Sequence, residues 1–554
     1  MGAGRAALLA VALALLAPAP AAAQPAAKTV RPSGTLVAPE RYDRPPPGHR
    51  LTARQVVRIA EALPVVREVR ETNPPAYVRA YVKDGEDWQV SLYVPRGDRR
   101  DEVAQVLIDD RTGRVKEAWT GVQVGWTMAR GYPGAFGRSV NTPWVWVGLC
   151  ALFVLPFLRR PARWMHVDLA VLVAFSVSYA FFGAANLDVS VPSAYPLLAY
   201  LLVRMLMVAA ARSRALAGRT VLPAPPALLV GPGFLLVAIV FLTGFRVALN
   251  VTDGNVIDVG YASVIGADLL SGGHPVYGGF PLDNEHGDTY GPVAYAAYVP
   301  FEALWPWSGT WDDLPAAHAA ALTFDLGSAA LLWLIGRRLR DQALGLLLAY
   351  LWLAFPFSLL VANSGANDAL VALLVLAALL VAGRVARGAA GGALIGLAGL
   401  TKFAPLGLAP LFATYGARGV RAMVVPALAF AGVVLLALAP FDLGSFWDRT
   451  LGFQQDRDSP FSIWYELPDA PQAVAQVAAL MLALGVAVVP RRRDLASLAA
   501  LSAAVLIALQ MTVDHWFYLY LVWFAPLVWI ALLSPVPAAE PARSPPPAPP
   551  AGSG

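Results

Sequence analysis

Charge and cysteine are both scarce in this chain. Only 14% of its 554 residues are Asp, Glu, Lys or Arg, where a soluble globular chain carries about 25%. A water-facing surface along the whole chain is thereby excluded. Cysteine occurs once, at Cys150, so no intrachain disulfide exists. Cys150 lies inside an apolar run and reads as a small core residue, not a reactive thiol. Lysine all but disappears after Lys116: Lys402 is the only one that follows. The net charge of +5 therefore rests on arginines in short clusters between apolar runs. That is how membrane topology is encoded, and no nucleic-acid partner is expected.

Apolar residues are abundant instead, at 57% of the chain with a mean hydropathy of +0.55. The long apolar runs begin after Asn141. A helix rises about 1.5 Å per residue, so a run of about 20 residues crosses a bilayer core of roughly 30 Å. Lipid offers no hydrogen bonds, so such runs must be helical. From Trp144 onward the pattern predicts an all-α polytopic membrane protein with about 13 transmembrane helices. Short basic loops separate them: Arg159, Arg160 and Arg163; Arg212, Arg214 and Arg219; Arg337, Arg338 and Arg340; Arg384 and Arg387; Arg418 and Arg421; Arg491, Arg492 and Arg493. Counting alternately from an exported N-terminus puts every cluster on the same, cytoplasmic side. Gly388 to Tyr415 reads as two short spans or a re-entrant pair, which give the same parity. The Pro/Ala-rich tail, 534–554, is expected to be disordered and cytoplasmic.

The chain starts with Arg5, an apolar stretch from Ala6 to Leu16, and the small residues Ala21-Ala22-Ala23 before Gln24. That pattern predicts a signal peptide over 1–23, with a retained anchor as the alternative. A Pro-rich linker, 24–50, follows. Leu51 to Val69 has helical apolar spacing (Leu51, Val56, Val57, Ile59, Ala60, Leu63), and then the period changes to two. Ala76 to Val82 and Trp88 to Val94 alternate about an Asp84-Gly85 turn, and a third strand from Ala104 leads through "LIDDRTGRV" into Arg114 to Trp119. A small exported α+β domain over 51–121 is expected. This order of helix, strands and "LIDDRTGRV" resembles the PepSY domain, which implies a sensing or docking module.

One outer loop is long, from Asn250 to about Asp313, and rich in ionisable and aromatic groups: Asp253, Asp258, Tyr261, His274, Tyr277, Asp283, Glu285, His286, Asp288 and Tyr290. Loops of that length and content are usually functional. Val259 to Leu270 has amphipathic character and is expected to lie along the membrane surface. Tyr290, Tyr295, Tyr298, Trp305 and Trp307 fall at interfacial depth, where aromatics also serve as ordinary belt residues.

An aspartate after a span, "GxxPVYG" and "YGPxAY", then "NSGANDALVALLVLAALL" from Asn363, "GLAGLTKFAPLGLAP" from Gly396, "TLGFQQDRDSPFSIW" from Thr450 and "HWFYLYLVWFAP" from His515 occur in that order. This series resembles the GT-C superfamily of membrane glycosyltransferases, and within it the polyprenol-phosphate-mannose-dependent mannosyltransferases. The resemblance covers roughly Pro232 to Leu533, a GT-C-like core over 227–533. It leaves the spans of 142–226 without a role.

The resemblance implies a hexosyl, specifically mannosyl, transfer from a polyprenyl-phosphate-linked donor to an extracytoplasmic glycolipid or glycan. It also implies a carboxylate of the first outer loop as general base, and Asp258 matches that position best, with Asp253 as rival. A sugar hydroxyl is a poor nucleophile, and a carboxylate in hydrogen-bond reach accepts its proton as the new bond forms. One such base inverts the anomeric centre. The alternative for Asp258 is charge complementarity at a helix N-terminus. Asp253 and Asp258 are too far apart for a DxD pair, so no metal or other cofactor is expected.

The donor phosphate needs cations. Lys402 sits between two apolar half-segments, where a lysine is costly unless paired or solvated; snorkelling to the interface is its alternative. Arg449 and Arg457 suit bidentate phosphate binding, or else pair with Asp448, Asp456 or Asp458. His515 is a further phosphate donor by the resemblance, or an interfacial histidine. Substrate contacts are expected from Tyr261, Tyr277, Tyr290, Asn367, Asp368 and Gln454, with helix capping as the alternative for Asn367-Asp368. Asp325 and Arg204 lie within spans and would matter most in the rival reading, a lipid or sugar transporter or flippase. A third reading makes the exported domain the working part of a signalling or scaffold protein.

Overall fold

The computed structural model describes residues 36–83, 87–96, 99–131, 138–159, 163–222, 227–281, 284–312, 314–382, 388–417, 419–455, 457 and 459–535. The expected signal peptide, the first part of the linker, the Asp84-Gly85 turn, Asp283, Arg160, Arg384, Arg387, Arg418 and nearly all of the tail lie outside them. The chain divides into two compact units, 1–127 and 128–554.

The first unit is a five-stranded antiparallel sheet in sequential order: β1 (Leu36–Val37), β2 (Tyr77–Lys83), β3 (Asp87–Arg96), β4 (Arg99–Asp109) and β5 (Val115–Thr120). Two helices, α1 (Ala53–Glu61) and α2 (Pro64–Thr72), precede the main strands. The single helix expected over 51–69 is thus broken. Pro64 cannot donate to the preceding turn and is tolerated only at a helix start. Thr52 and Gln55 close a capping box on α1. Val56 and Ala60 then pack on Ala80, Trp88, Val90, Val106 and Ile108 from alternate strand positions. Asp110 accepts from Arg50 N, Leu51 N and Trp88 Nε1 (2.7, 3.0 and 2.8 Å), tying the "LIDDRTGRV" turn to the helix entry.

The second unit is helical. Its principal helices are α3 (Pro143–Val154), α4 (Trp164–Gly183), α5 (Leu187–Leu216), α6 (Pro232–Asp253), α7 (Asp258–Ser271), α8 (Pro315–Leu339), α9 (Gln342–Ala354), α10 (Pro356–Asn363), α11 (Asp368–Val381), α12 (Gly388–Gly399), α13 (Val420–Leu438), α14 (Asp469–Val488), α15 (Leu495–Gln510) and α16 (Leu521–Leu533). Among the described residues six are long and apolar enough to cross a membrane: α4, α5, α6, α8, α13 and α14. The pair α9–α10, bent by 59°, adds a seventh as one broken span. The count of about 13 expected from the runs is therefore not reached by helix length. Six further apolar helical segments are only 10–17 residues long. Pro356 breaks one run and Pro156 ends α3 in a 3-10 turn, so an unbroken apolar run is not always an unbroken helix.

Buried charge ties the bundle together. Arg246 of α6 donates to both oxygens of Asp325 of α8 (2.8 and 2.9 Å) and to the carbonyls of Trp352 and Leu353 that end α9. Trp352 Nε1 donates to Asp325 (2.8 Å), and Ser358 of α10 accepts from Arg246 (2.7 Å). The network thus feeds the orphan carbonyls at the α9–α10 break. Arg204 likewise pairs with Asp168 across α5 and α4 (2.8 Å). Both ionisable residues singled out in the spans thus have charged partners.

Four arginines of the basic loops join helix ends to one another. Arg338, ending α8, donates to the carbonyls of Leu380 and Ala382 that end α11. Arg212 near the end of α5 pairs with Asp494 at the start of α15 and reaches Ser534 O beyond α16. Arg492 and Arg493 contact Leu216 O and Thr414. The other ends of α8, α11, α15 and α16, with the end of α6, carry the residues described next.

Candidate active site

The site is assembled by backbone contact between loops. The segment entering α7 runs along the α10–α11 turn: Asn255 N donates to Asn363 O (2.8 Å) and Ile257 N to Ser364 O (3.0 Å). Gly260, in the first turn of α7, lies so close that a Cβ would sit 2.5 Å from Gly365 O. Only glycine permits that approach, and it fixes Asp258, the first residue of α7, against Asp368, the first residue of α11. A second close approach fixes Tyr290: Val293 N donates to Leu400 O (3.0 Å), and a Cβ on Gly291 would lie 2.1 Å from the same oxygen. Tyr290 and Lys402 are thus held beside one another.

α7 itself is buried from Val259 to Ala267, so it is an internal helix and not the surface helix its amphipathic character predicts. Its small buried positions include Gly260, Ser263 and Gly266; the two glycines admit close neighbours, and Ser263 Oγ donates to Val259 O (2.9 Å). Asp258 keeps accessible surface, yet burial pushes its carboxyl up, opposed by Arg457 and Lys402. Asp258 is the exposed member of a group whose other charges, Asp368 and Lys402, are buried, so it stands at the mouth of a recess. Burial likewise raises the Tyr290 phenol, which feels the charges of Asp258, Asp368 and Arg457.

The recess therefore brings together Asp258, Tyr290, Asp368, Lys402, Arg457, His515 and Tyr520. Lys402 Nζ donates to Asp368 Oδ1 (2.9 Å), which also accepts from Trp523 Nε1 (3.1 Å). The rings of Tyr290, Tyr520 and Trp523 stand 5.2, 5.3 and 5.7 Å from the ammonium. An aromatic box and one carboxylate surround the ammonium of this nearly buried lysine. His515 Nδ1 meets Ser459 Oγ (2.9 Å). Burial, with Arg457 and Lys402 nearby, pushes His515 well below the usual histidine range, so the ring is neutral at physiological pH. Arg457 lies over the Phe453 ring, which stacks on His286 at 5.0 Å.

Other expected site residues stand apart from the recess. Asp253 ends α6 and accepts from Ser139 N (2.8 Å), a capping contact. Arg449 pairs with Asp288 (3.6 Å), whose carboxylate also accepts from Gly278 N (2.7 Å). Tyr277 donates to Tyr290 O (3.1 Å) within an aromatic cluster with Tyr295 and Phe446. Tyr261 is fully buried against Trp311. Asn367 stands at the N-cap position of α11 without a side-chain capping bond, and its amide donates to Ser263 Oγ (3.1 Å). Gln454 is half-buried in the turn after Arg449. Tyr520, Trp523 and Ser459 were not singled out from the sequence. The first two lie inside "HWFYLYLVWFAP", where apolar neighbours hide them. Among the described residues, no three His, Cys, Asp or Glu side chains converge as a metal-ligand set.

Residues 289–535 match the model of glycosyltransferase family 87. The match supports reading the chain as a membrane-embedded glycosyltransferase. It contains Tyr290, Asp368, Lys402, Arg457, His515 and Tyr520, and leaves Asp258 and all of 1–288 outside. No curated protein matches the chain.

Of the helices outside the match, α4 and α5 also contact this segment near the site. Tyr518 Oη sits between Ser178 Oγ of α4 and Ser190 Oγ of α5 (2.7 and 2.6 Å), and Tyr195 Oη meets Ser462 Oγ (3.1 Å). Those contacts brace the two stretches that carry His515 and Arg457. Tyr518→Phe keeps the ring and loses the shared hydroxyl, so turnover is expected to fall by about tenfold for about 1–2 kcal/mol of lost hydrogen bonding. Ser190→Ala added to Tyr518→Phe should then cost little more. Additive losses in a double-mutant cycle of transfer rates would show that the serines act elsewhere.

Proposed function

We propose that this protein transfers a hexosyl group, mannosyl in the first instance, from a polyprenyl-phosphate carrier to a glycolipid or glycan acceptor on the extracytoplasmic face. The observation that carries the reading is that the start of α7, with Asp258, is held by backbone contact on the turn before Asp368, whose carboxylate holds Lys402 (2.9 Å) beside Tyr290. Such a transfer needs these groups and little else. Asp258 accepts the acceptor hydroxyl proton, and burial makes it a stronger base than an exposed aspartate. Lys402 and Arg457 balance the charge growing on the departing lipid phosphate. Asp368 and the aromatic box hold the ammonium in place, and neutral His515 donates a hydrogen bond without adding charge. One base on one face of the sugar gives inversion.

The orientation follows from the arginines at the opposite helix ends, which the positive-inside rule places in the cytoplasm. The recess then opens outward, where lipid-linked donors, and not soluble nucleotide sugars, are at hand. Residues 51–121 form an exported PepSY-like module, and docking is the role a compact sheet without a catalytic cluster fits.

The test is transfer by purified protein in lipid discs, with and without EDTA. Cations supplied by Lys402 and Arg457 predict a rate unchanged by the chelator. A loss restored by Mg²⁺ or Mn²⁺ would replace this account of phosphate binding with a metal-assisted one.

A further inference from the structure

We infer that Trp311 forms a stacking platform for a sugar ring of the acceptor, next to Asp258. The inference rests on the transferase reading for its choice of ligand and on geometry for its location. Trp311 lies parallel to Tyr261, with ring centroids 4.9 Å apart and planes 24° apart. Tyr261 is fully buried and sits one helical turn after Asp258. Trp307 meets the same Tyr261 ring edge-on at 6.0 Å. The buried face of Trp311 is thus backed by protein, while the residue stays 42% exposed.

An interfacial tryptophan anchors a membrane protein by pairing an apolar ring with an indole N–H that reaches water or headgroups. Neither indole here is used that way. Trp311 Nε1 donates to Val256 O (3.0 Å), and Trp307 Nε1 donates to Thr310 O (3.1 Å). Ser308 Oγ closes the loop by donating to Asp312 (2.6 Å). Both N–H groups serve to fix ring orientation, which a belt residue does not need and a stacking surface does. The C–H face of a pyranose is apolar and flat, and it packs on an indole face with little entropy lost by an already rigid ring.

Position selects the acceptor over the donor. Val256 is two residues before Asp258, so the hydrogen-bonded edge of Trp311 lies within ~10 Å of Asp258, from the span of two residues plus one hydrogen bond. That is within reach of a disaccharide. The cations, at 402 and 457, and the rest of the Lys402 aromatic box beyond Tyr290, at 520–523, come from other elements. A sugar chain stacked on Trp311 would present its terminal hydroxyl to the base, leaving the cationic part of the recess to the lipid phosphate.

The test uses octyl α-dimannoside as the probe. Its binding to protein in lipid discs is followed by calorimetry without donor, and its KM is measured in transfer from polyprenyl-phosphate-mannose. Trp311→Ala is expected to weaken binding and raise the acceptor KM by about tenfold, with the donor KM unchanged. Trp311→Phe, which keeps a ring but loses the indole N–H, should fall between. Trp305, 44% exposed in the same loop, is the control: Trp305→Ala should leave acceptor binding alone. Trp311-dependent binding without any transfer would support the platform while removing the transferase reading. Transfer with wild-type acceptor binding in Trp311→Ala would overturn the platform and leave that reading standing. No binding of the glycoside by wild type, or equal losses of membrane yield in Trp305→Ala and Trp311→Ala with unchanged acceptor KM, would equally overturn it, the latter in favour of a membrane belt.

Discussion

Asp258→Asn lowers sugar transfer by roughly 10²–10⁴-fold, the range general-base catalysis supplies, while folded protein accumulates in the membrane as before. Asparagine keeps the shape and a hydrogen-bonding oxygen but cannot take the acceptor proton. The fold should tolerate it, because the α7 entry is fixed by the backbone of Asn255 and Ile257 and by the Gly260 approach, none of which needs the carboxylate. The same base sets the pH dependence. Its ionised form is the active one and burial raises its pKa, so transfer should fall as pH drops through a value above the ordinary aspartate range of about 3.9. His515 is held neutral well below the usual histidine range, so it should add no limb near pH 6.5. Full activity in Asp258→Asn, or a limb near 6.5 that His515→Gln removes, would reassign the base.

Asp325→Leu is expected to be the most destabilising single change in the helical unit. Asp325 and Arg246 are both fully buried, and the carboxylate accepts from Arg246 and Trp352. Removing one partner leaves a buried, unbalanced guanidinium, and breaking such a pair typically costs about 3–5 kcal/mol. The loss falls on the α9–α10 break, because the same arginine holds the carbonyls of Trp352 and Leu353. α10 leads into Asn363 and Ser364, on which the Asp258 segment is hung. Poor membrane accumulation and a lowered melting temperature are expected together. Adding Arg246→Met should recover part of the loss, since an apolar pair carries no uncompensated charge. A Asp325→Leu protein as stable as wild type would show that the network is not what sets the break.

The sequence revealed chemistry better than geometry. Lys402 stood out because it is a lone lysine in an arginine-based chain, and Asp258 because it follows a span in a long ionisable loop. Their convergence could not be read, since it depends on Gly260 against Gly365 and Gly291 against Leu400, contacts between distant segments in which glycine carries no visible signal. Tyr520 and Trp523 stayed hidden for a related reason: in an apolar run an aromatic that faces a cation looks like one that faces lipid. Arg246 was overlooked because a single arginine inside "FLTGFRVAL" barely lowers the hydropathy of its run, although its partner Asp325 was noticed. α7 misled in the other direction. Its small and polar positions look like the wet side of a surface helix, yet they admit neighbouring backbone and aromatic rings. In the first unit the change of period from helical to two placed the main strands well; the break at Pro64, the earlier start of β4 and the edge strand β1 inside the expected linker differ.

The most direct test is transfer by the purified protein from three labelled polyprenyl-phosphate hexoses or pentoses (mannose, glucose and arabinose), run beside the corresponding nucleotide sugars and with cell-envelope glycolipid and glycan as acceptors. The account predicts product from a lipid-linked donor, mannose first, with inversion at the anomeric carbon and none from nucleotide sugars. Transfer from a nucleotide sugar, or retention of the anomeric configuration, would contradict it.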